Sequence, residues 1–304
     1  MKSRKLLSIF IMIILIAAGI GMLFFVDYGE EEEDGRLSVV ASFYPLYYFA
    51  DYIGGDNASV SLLIPDNVEP HSWSPSVSDL VAVSKTDVFI YNGQGFEPWI
   101  ESFTDQLKEG VATVDTSEGM EALYGNETVS ELDPHFWLDP LAAVVQAKNI
   151  AGAMIAADPD HAAYYQDQCD ELVERLVQLD ADYKIGLENK TKDVIVTTHE
   201  GFDYMALRYD FTAYGAVGIS GEDQPSAGEM ADLVDLVEEL DIDYIYSEPL
   251  FDDAIMQQIS DETGAEVLIL DGVHGRSGPH AEMDYFEIMN ENLENLRKGL
   301  GVTE

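Results

Sequence analysis

The chain has a single cysteine, Cys169, in 304 residues. One cysteine forms no disulfide within a monomer, and Cys169 lies too far along the chain to carry a lipid at the end of an N-terminal apolar segment. Its place in a helical pattern predicts a buried core residue. The sequence also lacks the H-E-x-x-H motif of zinc peptidases and the G-x-S-x-G turn of serine hydrolases. These absences exclude a disulfide scaffold and argue against a hydrolase.

Basic side chains are scarce: 15 Lys and Arg stand against 58 Asp and Glu, for a net charge of −43 at pH 7. Such a surface repels nucleic acid and anionic lipid headgroups, so we predict no nucleic-acid partner. The excess of acid is typical of a protein adapted to high salt. A diffuse trap that gathers cations near a metal site is an alternative, and the acidity alone is not evidence for a metal.

The N-terminus carries a targeting segment. Three basic residues within the first five precede Leu6–Val26, an uncharged run of 21 residues. At about 1.5 Å per residue this run spans a hydrocarbon core of roughly 30 Å, and it exceeds the 7–15 residues usual for a secretory signal. We therefore predict a membrane anchor over residues 1–26, with a cleaved signal as the alternative, and an acidic linker over 27–36. The charge asymmetry places the globular part outside the cytoplasm, held at the cell membrane.

After the linker, β-rich runs alternate with helical patterns, which predicts an α/β protein with mostly parallel sheets. The predicted strands are Leu37–Ser42, Ser59–Ile64, Asp87–Asn92, Ala112–Asp115, Asp193–Thr197, Phe211–Ala216, Tyr244–Ser247 and Val267–Leu270. The predicted helices are Tyr44–Ile53, Val77–Ser84, Glu97–Leu107, Leu141–Ala157, His161–Leu187, Tyr204–Tyr209, Ala227–Leu240, Asp252–Thr263 and Ala281–Leu300.

The stretch His161–Leu187 is the longest predicted helix, with apolar side chains at spacings of three and four. A helix of that length runs about 40 Å, enough to cross a two-lobed molecule. The sequence thus predicts an N-terminal α/β lobe over 37–160, a connecting helix over 161–188 and a C-terminal α/β lobe over 189–304.

Three histidines and one aspartate occur where strand-like runs break into turns: His71, His135, His199 and Asp271. Three imidazoles and a carboxylate form a donor set typical of Zn²⁺. A lone loop histidine is usually only solvated, so the argument rests on position. The carboxyl ends of parallel strands meet at one crevice. Two of these residues come from each half of the chain, which predicts a metal site in the cleft between the lobes.

Four ordered motifs carry a family resemblance: Val68–Ser72, Asp133–Pro140, Thr198–Phe202 and Ser247–Pro249. Together with Asp271 they resemble the metal-specific substrate-binding proteins of ABC transporters, the zinc and manganese uptake group, and the match extends over residues 37–300. The resemblance implies two small α/β lobes joined by one long rigid helix. It also implies His71, His135, His199 and Asp271 as the metal ligands.

The resemblance bears on the choice of metal. Manganese members of the group tend to have a carboxylate at the third ligand position, where this chain has His199, so Zn²⁺ is favoured; Mn²⁺ or Fe²⁺ is the alternative. Glu69 could replace Asp271 as the oxygen ligand, and Glu248 is expected to support a ligand or the packing of the lobes. His274 and His280 are expected to be exposed loop residues, with an accessory metal site as the alternative.

The expected function is capture of Zn²⁺ by a monomeric extracytoplasmic binding protein that delivers the ion to the permease of an ABC transporter. A zinc hydrolase is a less favoured alternative, so we predict that the chain is not an enzyme. A role in adhesion is not separable from transport on the sequence. Because histidines bind metal only when neutral, release is expected near pH 5.

Overall fold

The computed structural model describes residues 35–120, 133–221 and 224–303 of the chain. The described residues from Leu37 onward form one compact unit. The predicted membrane segment, most of the acidic linker and part of the polar loop before His135 lie outside the described residues. The predicted domain boundaries therefore remain predictions.

The N-terminal lobe is built on a four-stranded parallel sheet in the order β2-β1-β3-β4. Its strands are β1 (Leu37–Ala41), β2 (Ala58–Leu62), β3 (Val88–Tyr91) and β4 (Ala112–Asp115). Its helices are α1 (Tyr44–Gly54), α2 (Val77–Val83), α3 (Ile100–Thr104) and α4 (Pro140–Ala157). Helix α4 is apolar and long enough to cross a membrane by length and composition, but it packs against α5 (Ala162–Gly186) and the sheet as a core helix.

The C-terminal lobe repeats this plan with a parallel sheet in the order β6-β5-β7-β8. Its strands are β5 (Val194–His199), β6 (Thr212–Val217), β7 (Tyr244–Ser247) and β8 (Glu266–Ile269). Its helices are α6 (Asp203–Tyr209), α7 (Ala227–Glu239), α8 (Ala254–Thr263) and α9 (Tyr285–Gly299). Short 3₁₀ turns occur at Gly55–Asn57, Phe136–Leu138, Pro159–His161 and Gly278–His280.

Local sequence explains where several helices begin. Capping boxes pair an N-cap side chain with an acidic residue three positions later at Ser76, Ser226 and Asp284. Asp139 caps α4 by accepting a hydrogen bond from the Leu141 amide at 2.9 Å, and Pro140 occupies the first helical position, where no amide is needed. The chain thus enters α4 at a fixed angle directly after the segment that carries His135.

Helix α5 links the two lobes through a continuous core. Its predicted apolar positions, Tyr165, Cys169, Leu172, Leu176, Leu179 and Tyr183, are all buried. They belong to one hydrophobic cluster that contains side chains from both sheets and from α9. The predicted fold class, two lobes with parallel sheets joined by a long helix, is confirmed, and so is the core position of the free Cys169.

Candidate metal centre

Three of the predicted ligands meet in the structure. His71 lies in the loop after β2, His135 begins a 3₁₀ turn in the segment before α4, and His199 ends β5. The Nε2 atom of His135 lies 3.1 Å from Nε2 of His71 and 3.2 Å from Nε2 of His199. Zinc–nitrogen bonds of about 2.0–2.1 Å in a tetrahedron place the nitrogens roughly 3.3 Å apart. The two distances from Nε2 of His135 are therefore those expected between nitrogens that share one Zn²⁺ ion.

Asp133 fixes the orientation of His135. Its Oδ1 atom accepts from Nδ1 of His135 at 2.7 Å and from the His135 amide at 2.9 Å. Both residues are buried. A carboxylate at Nδ1 holds the ring proton there and leaves the lone pair of Nε2 free for a metal.

Glu248, which follows β7, does the same for His199. Its Oε1 atom accepts from Nδ1 of His199 at 2.6 Å and from the His199 amide at 3.2 Å. The expectation that Glu248 supports a ligand matches these contacts. With both Nδ1 protons held by carboxylates, the lone pairs of the two Nε2 atoms face each other across 3.2 Å. A cation between them converts this repulsion into two favourable bonds.

Glu69 shapes the turn that carries His71. Its carboxylate accepts from the amides of His71 at 2.9 Å and Ser72 at 2.8 Å. The His71 ring also packs edge-on against Phe96, with ring centroids 4.7 Å apart. The Glu69 carboxylate therefore holds the backbone of the turn that carries His71. This role differs from the alternative in which Glu69 binds the metal.

A fourth histidine, His274, joins the cluster from the loop after β8. Its ring centroid lies 5.1 Å from that of His135, 5.2 Å from His199 and 5.8 Å from His71. Its ligand atoms lie within 4.8 Å of those of His71 and His135, and also of those of His199 and Glu248. Nε2 of His274 is buried and has no hydrogen-bond partner among the described residues. A buried nitrogen in this position is available to a metal ion.

The geometry argues against Asp271, the fourth predicted ligand. Among the described residues, it belongs to neither group of side chains whose ligand atoms converge. Its Oδ2 atom accepts from Nδ1 of His280 at 2.6 Å, and its Oδ1 atom accepts from the Val273 amide at 2.7 Å. The carboxylate is therefore engaged in holding its own loop.

The expectation that His274 and His280 are exposed is wrong. His274 is 4% exposed and His280 is fully buried. The sequence did contain a signal for His274, because it follows a predicted strand end by only a few residues, as His71 and His199 do. The resemblance drew attention to the acidic residue of that loop instead.

Burial favours the neutral form of three of these histidines, His71, His135 and His274. It lowers the pKa of His71 to about 3, with the neighbouring His199 adding to the effect. Burial and the adjoining histidines also lower the pKa values of His135 and His274 well below the ordinary range. A neutral imidazole has a lone pair for a metal, so the cluster is ready to bind a cation at neutral pH.

Two glycines leave room for the cluster. A Cβ atom on Gly201 would collide with Nε2 of His199 and lie 3.3 Å from Cδ2 of His135. A Cβ atom on Gly272 would lie 2.7 Å from Nδ1 of His274 and 2.8 Å from Oε2 of Glu248. Any side chain at either position would displace a histidine from the cluster.

Contacts between the lobes close the site. The Arg276 guanidinium binds Asp66 Oδ2 at 2.7 Å, which joins the loop carrying His274 to the loop carrying His71. The Trp137 indole donates to the Gly272 carbonyl at 2.8 Å, which joins the His135 segment to the His274 loop. The segments that carry His71, His135 and His274 are therefore tied to one another.

We expect Glu248→Gln to weaken metal binding about 10–100-fold, because the charge that polarises His199 is lost while the shape is kept. Competition against a chromophoric chelator measures the change. Glu200→Gln is the matched control, since the exposed Glu200 neighbours His199 in sequence and loses the same charge. Equal effects of the two substitutions would contradict a specific role for Glu248.

Comparison with known proteins identifies the family of the chain. Residues 39–299 match the family model described as ZnuA, the periplasmic zinc-uptake complex component A. The chain is 31% identical to the high-affinity zinc uptake system protein ZnuA of Bacillus subtilis, over 90% of each chain. It is 30% identical to the zinc-binding lipoprotein AdcA of Streptococcus pneumoniae, where the match covers 93% of this chain but 60% of the relative.

Solved structures give the same result. The metal-dependent lipoprotein YcdH of Bacillus subtilis superposes with a TM-score of 0.77 at 32% identity, covering 88% of this chain and all of that one. The Zn(II)-bound ZnuA-like domain of Streptococcus pneumoniae AdcA gives 0.77 at 30% identity, covering 88% and 99%. The laminin-binding protein Lmb of Streptococcus agalactiae, described as an adhesin with metal-transporting activity, gives 0.79 at 30%, covering 87% and 99%. The chain belongs to the ZnuA family of periplasmic zinc-uptake components.

Proposed function

We propose that this protein captures Zn²⁺ outside the cytoplasm between His71, His135, His199 and His274 and delivers it to the permease of an ABC transporter. The observation that carries the proposal is the position of Nε2 of His135, which lies 3.1 Å from that of His71 and 3.2 Å from that of His199. A ligand atom of His274 also lies within 4.8 Å of those of His71 and His135. Family membership supports the transport role.

Four imidazoles form a neutral, all-nitrogen donor set. Nitrogen donors suit Zn²⁺, whereas Mn²⁺ prefers carboxylate and water oxygens. The set supports Zn²⁺ over the Mn²⁺ alternative, and more strongly than the predicted set with Asp271 did. A shell of four protein ligands leaves no place for a reactive water, which favours carriage of the ion over hydrolysis.

Release of the ion requires that the loops separate. The Asp66–Arg276 pair and the Trp137–Gly272 hydrogen bond tie these loops together. Docking on the permease would have to break such ties, so that His71 and His274 move apart and the ion loses ligands. We further propose that the N-terminal segment anchors the chain, that the chain acts as a monomer, and that the lobes divide at residues 161–188.

The metal preference tests the proposal. The purified full-length chain is expected to bind one Zn²⁺ per molecule by elemental analysis, and to prefer Zn²⁺ strongly to Mn²⁺ in competition calorimetry. His274→Glu is expected to shift the preference toward Mn²⁺ by roughly tenfold or more, because an oxygen donor replaces a nitrogen.

His161→Glu is the matched control, since His161 is an exposed histidine paired with Asp158 at the start of α5. It should leave the preference unchanged. An unaltered Zn²⁺ to Mn²⁺ ratio in His274→Glu would remove His274 from the proposed ligand set. Binding of less than one metal ion per chain by the wild type would overturn the function itself.

A further inference from the structure

The loop that carries His274 has an unusual backbone. Val273, directly before His274, has a φ of +54° and is fully buried. A β-branched residue strongly disfavours this left-handed region, and such a conformation persists only where the surroundings impose it. Because Val273 fixes the direction in which the chain presents His274, whatever holds Val273 also sets the position of the His274 ring.

Asp271 is the residue that holds Val273. Its Oδ1 atom accepts the hydrogen bond of the Val273 amide at 2.7 Å. On the other side of the same carboxylate, Oδ2 accepts from Nδ1 of His280 at 2.6 Å. His280 ends the loop in the Gly278–His280 turn. One carboxylate therefore joins the strained turn to the far end of the loop.

Asp271 is itself fixed to α9. Its amide donates to Oδ1 of Asn292 at 2.8 Å, and its carbonyl accepts from Nδ2 of Asn292 at 2.8 Å. Asn292 is fully buried. The backbone amide, the carbonyl and both carboxylate oxygens of Asp271 are thus all engaged in hydrogen bonds with Asn292, Val273 and His280, and none of these bonds is to the four histidines of the cluster.

We propose that Asp271 and His280 position the fourth ligand: the carboxylate of Asp271, braced by His280, maintains the left-handed turn at Val273 that presents His274 to the metal. The proposal rests on the function proposed above. It makes Asp271 a positioning residue, which affects the ion only through His274.

The test combines metal affinity with the absorption spectrum of bound Co²⁺, which reports the number and kind of ligands. Asp271→Ala is expected to weaken Zn²⁺ binding about 10–100-fold, and to change the Co²⁺ spectrum toward that of His274→Ala. Asp271→Asn should keep most of the Zn²⁺ affinity and most of the wild-type Co²⁺ spectrum, because the amide oxygen of the asparagine still accepts from the Val273 amide. His280→Asn should likewise retain more affinity than His280→Leu, because its amide nitrogen can replace Nδ1.

A double-mutant cycle separates positioning from direct ligation. If Asp271 acts through His274, Asp271→Ala should cost little further affinity once His274→Ala is present. Additive losses, or an Asp271→Asn variant as weak as Asp271→Ala, would overturn the proposal and favour a ligand role. A lower melting temperature with an unchanged Co²⁺ spectrum in Asp271→Ala would also overturn it.

The matched control is Asp158→Ala. Asp158 makes the same kind of bond, to Nδ1 of His161 at 2.7 Å, but in the turn before α5. It should leave Zn²⁺ affinity and the Co²⁺ spectrum unchanged. Wild-type affinity in both His71→Ala and His135→Ala would count against the proposed function, whereas failure of the Asp271 variants alone would count only against this inference.

Discussion

Replacing His135 with alanine is expected to weaken Zn²⁺ binding by more than about a hundredfold, beyond the 10–100-fold range typical of losing an outer partner of a metal ligand. His135 is the central donor, because its Nε2 atom lies 3.1 Å from that of His71 and 3.2 Å from that of His199. Its loss removes a bond and separates the two remaining donors. Chelator competition at neutral pH measures the affinity.

His135 is fully buried, so the melting temperature of the metal-free variant must be compared with that of the wild type. His71→Ala provides a second variant, because His71 is only partly buried and its removal disturbs the core less. His161→Ala, at an exposed site in the turn before α5, should bind as the wild type does. A folded His135→Ala protein with unchanged affinity would contradict the proposed centre.

The second large effect is the dependence of the metal affinity on pH. A site of four ordinary imidazoles, with pKa values near 6.5, would lose affinity by up to about four log units per pH unit below pH 6. Here burial lowers the pKa of His71 to about 3 and also lowers those of His135 and His274. At these three histidines protons therefore compete with the metal only at much lower pH. We expect affinity to change less than about tenfold between pH 7.5 and 6.

A shallower decline in metal affinity should begin near pH 6, because burial raises the pKa of Asp133 to about 6. The metal favours the ionised carboxylate that polarises His135, so protonation of Asp133 weakens binding by at most about one log unit per pH unit. Release near pH 5, as the sequence suggests, thus becomes a partial loss. Asp133→Asn should remove this step. A slope of three or four protons starting at pH 6.5 would contradict the protected state of the histidines.

The sequence predicted the layout of the fold closely, because its physical signals are local. Alternating β-rich and helical patterns gave every described strand, and two of them, β4 and β7, have the predicted bounds. Boundaries shifted where tertiary hydrogen bonds decide them: β5 continues through His199 because its backbone still pairs with β6 there. A periodic pattern cannot contain that information.

The candidate site was predictable only in part. Histidines that end strands could be recognised, since parallel strands direct their carboxyl ends to one edge. The sequence marks His274 only by its place after a predicted strand end, and it does not reveal the left-handed conformation of Val273, which a β-branched residue disfavours. The pairing of Glu248 with His199 joins residues 49 positions apart and follows from the order of β5 and β7 in the sheet.

The position of Trp137 has an optical consequence. Its indole ring lies 5.1 Å from the His135 ring and 5.5 Å from the His274 ring, between centroids. Trp73 and Trp99 instead pack against each other at 5.4 Å. Arrival of a doubly charged ion next to Trp137 changes the electric field across that chromophore. Occupancy of the carrier can therefore be followed through its native ultraviolet emission, without any attached dye.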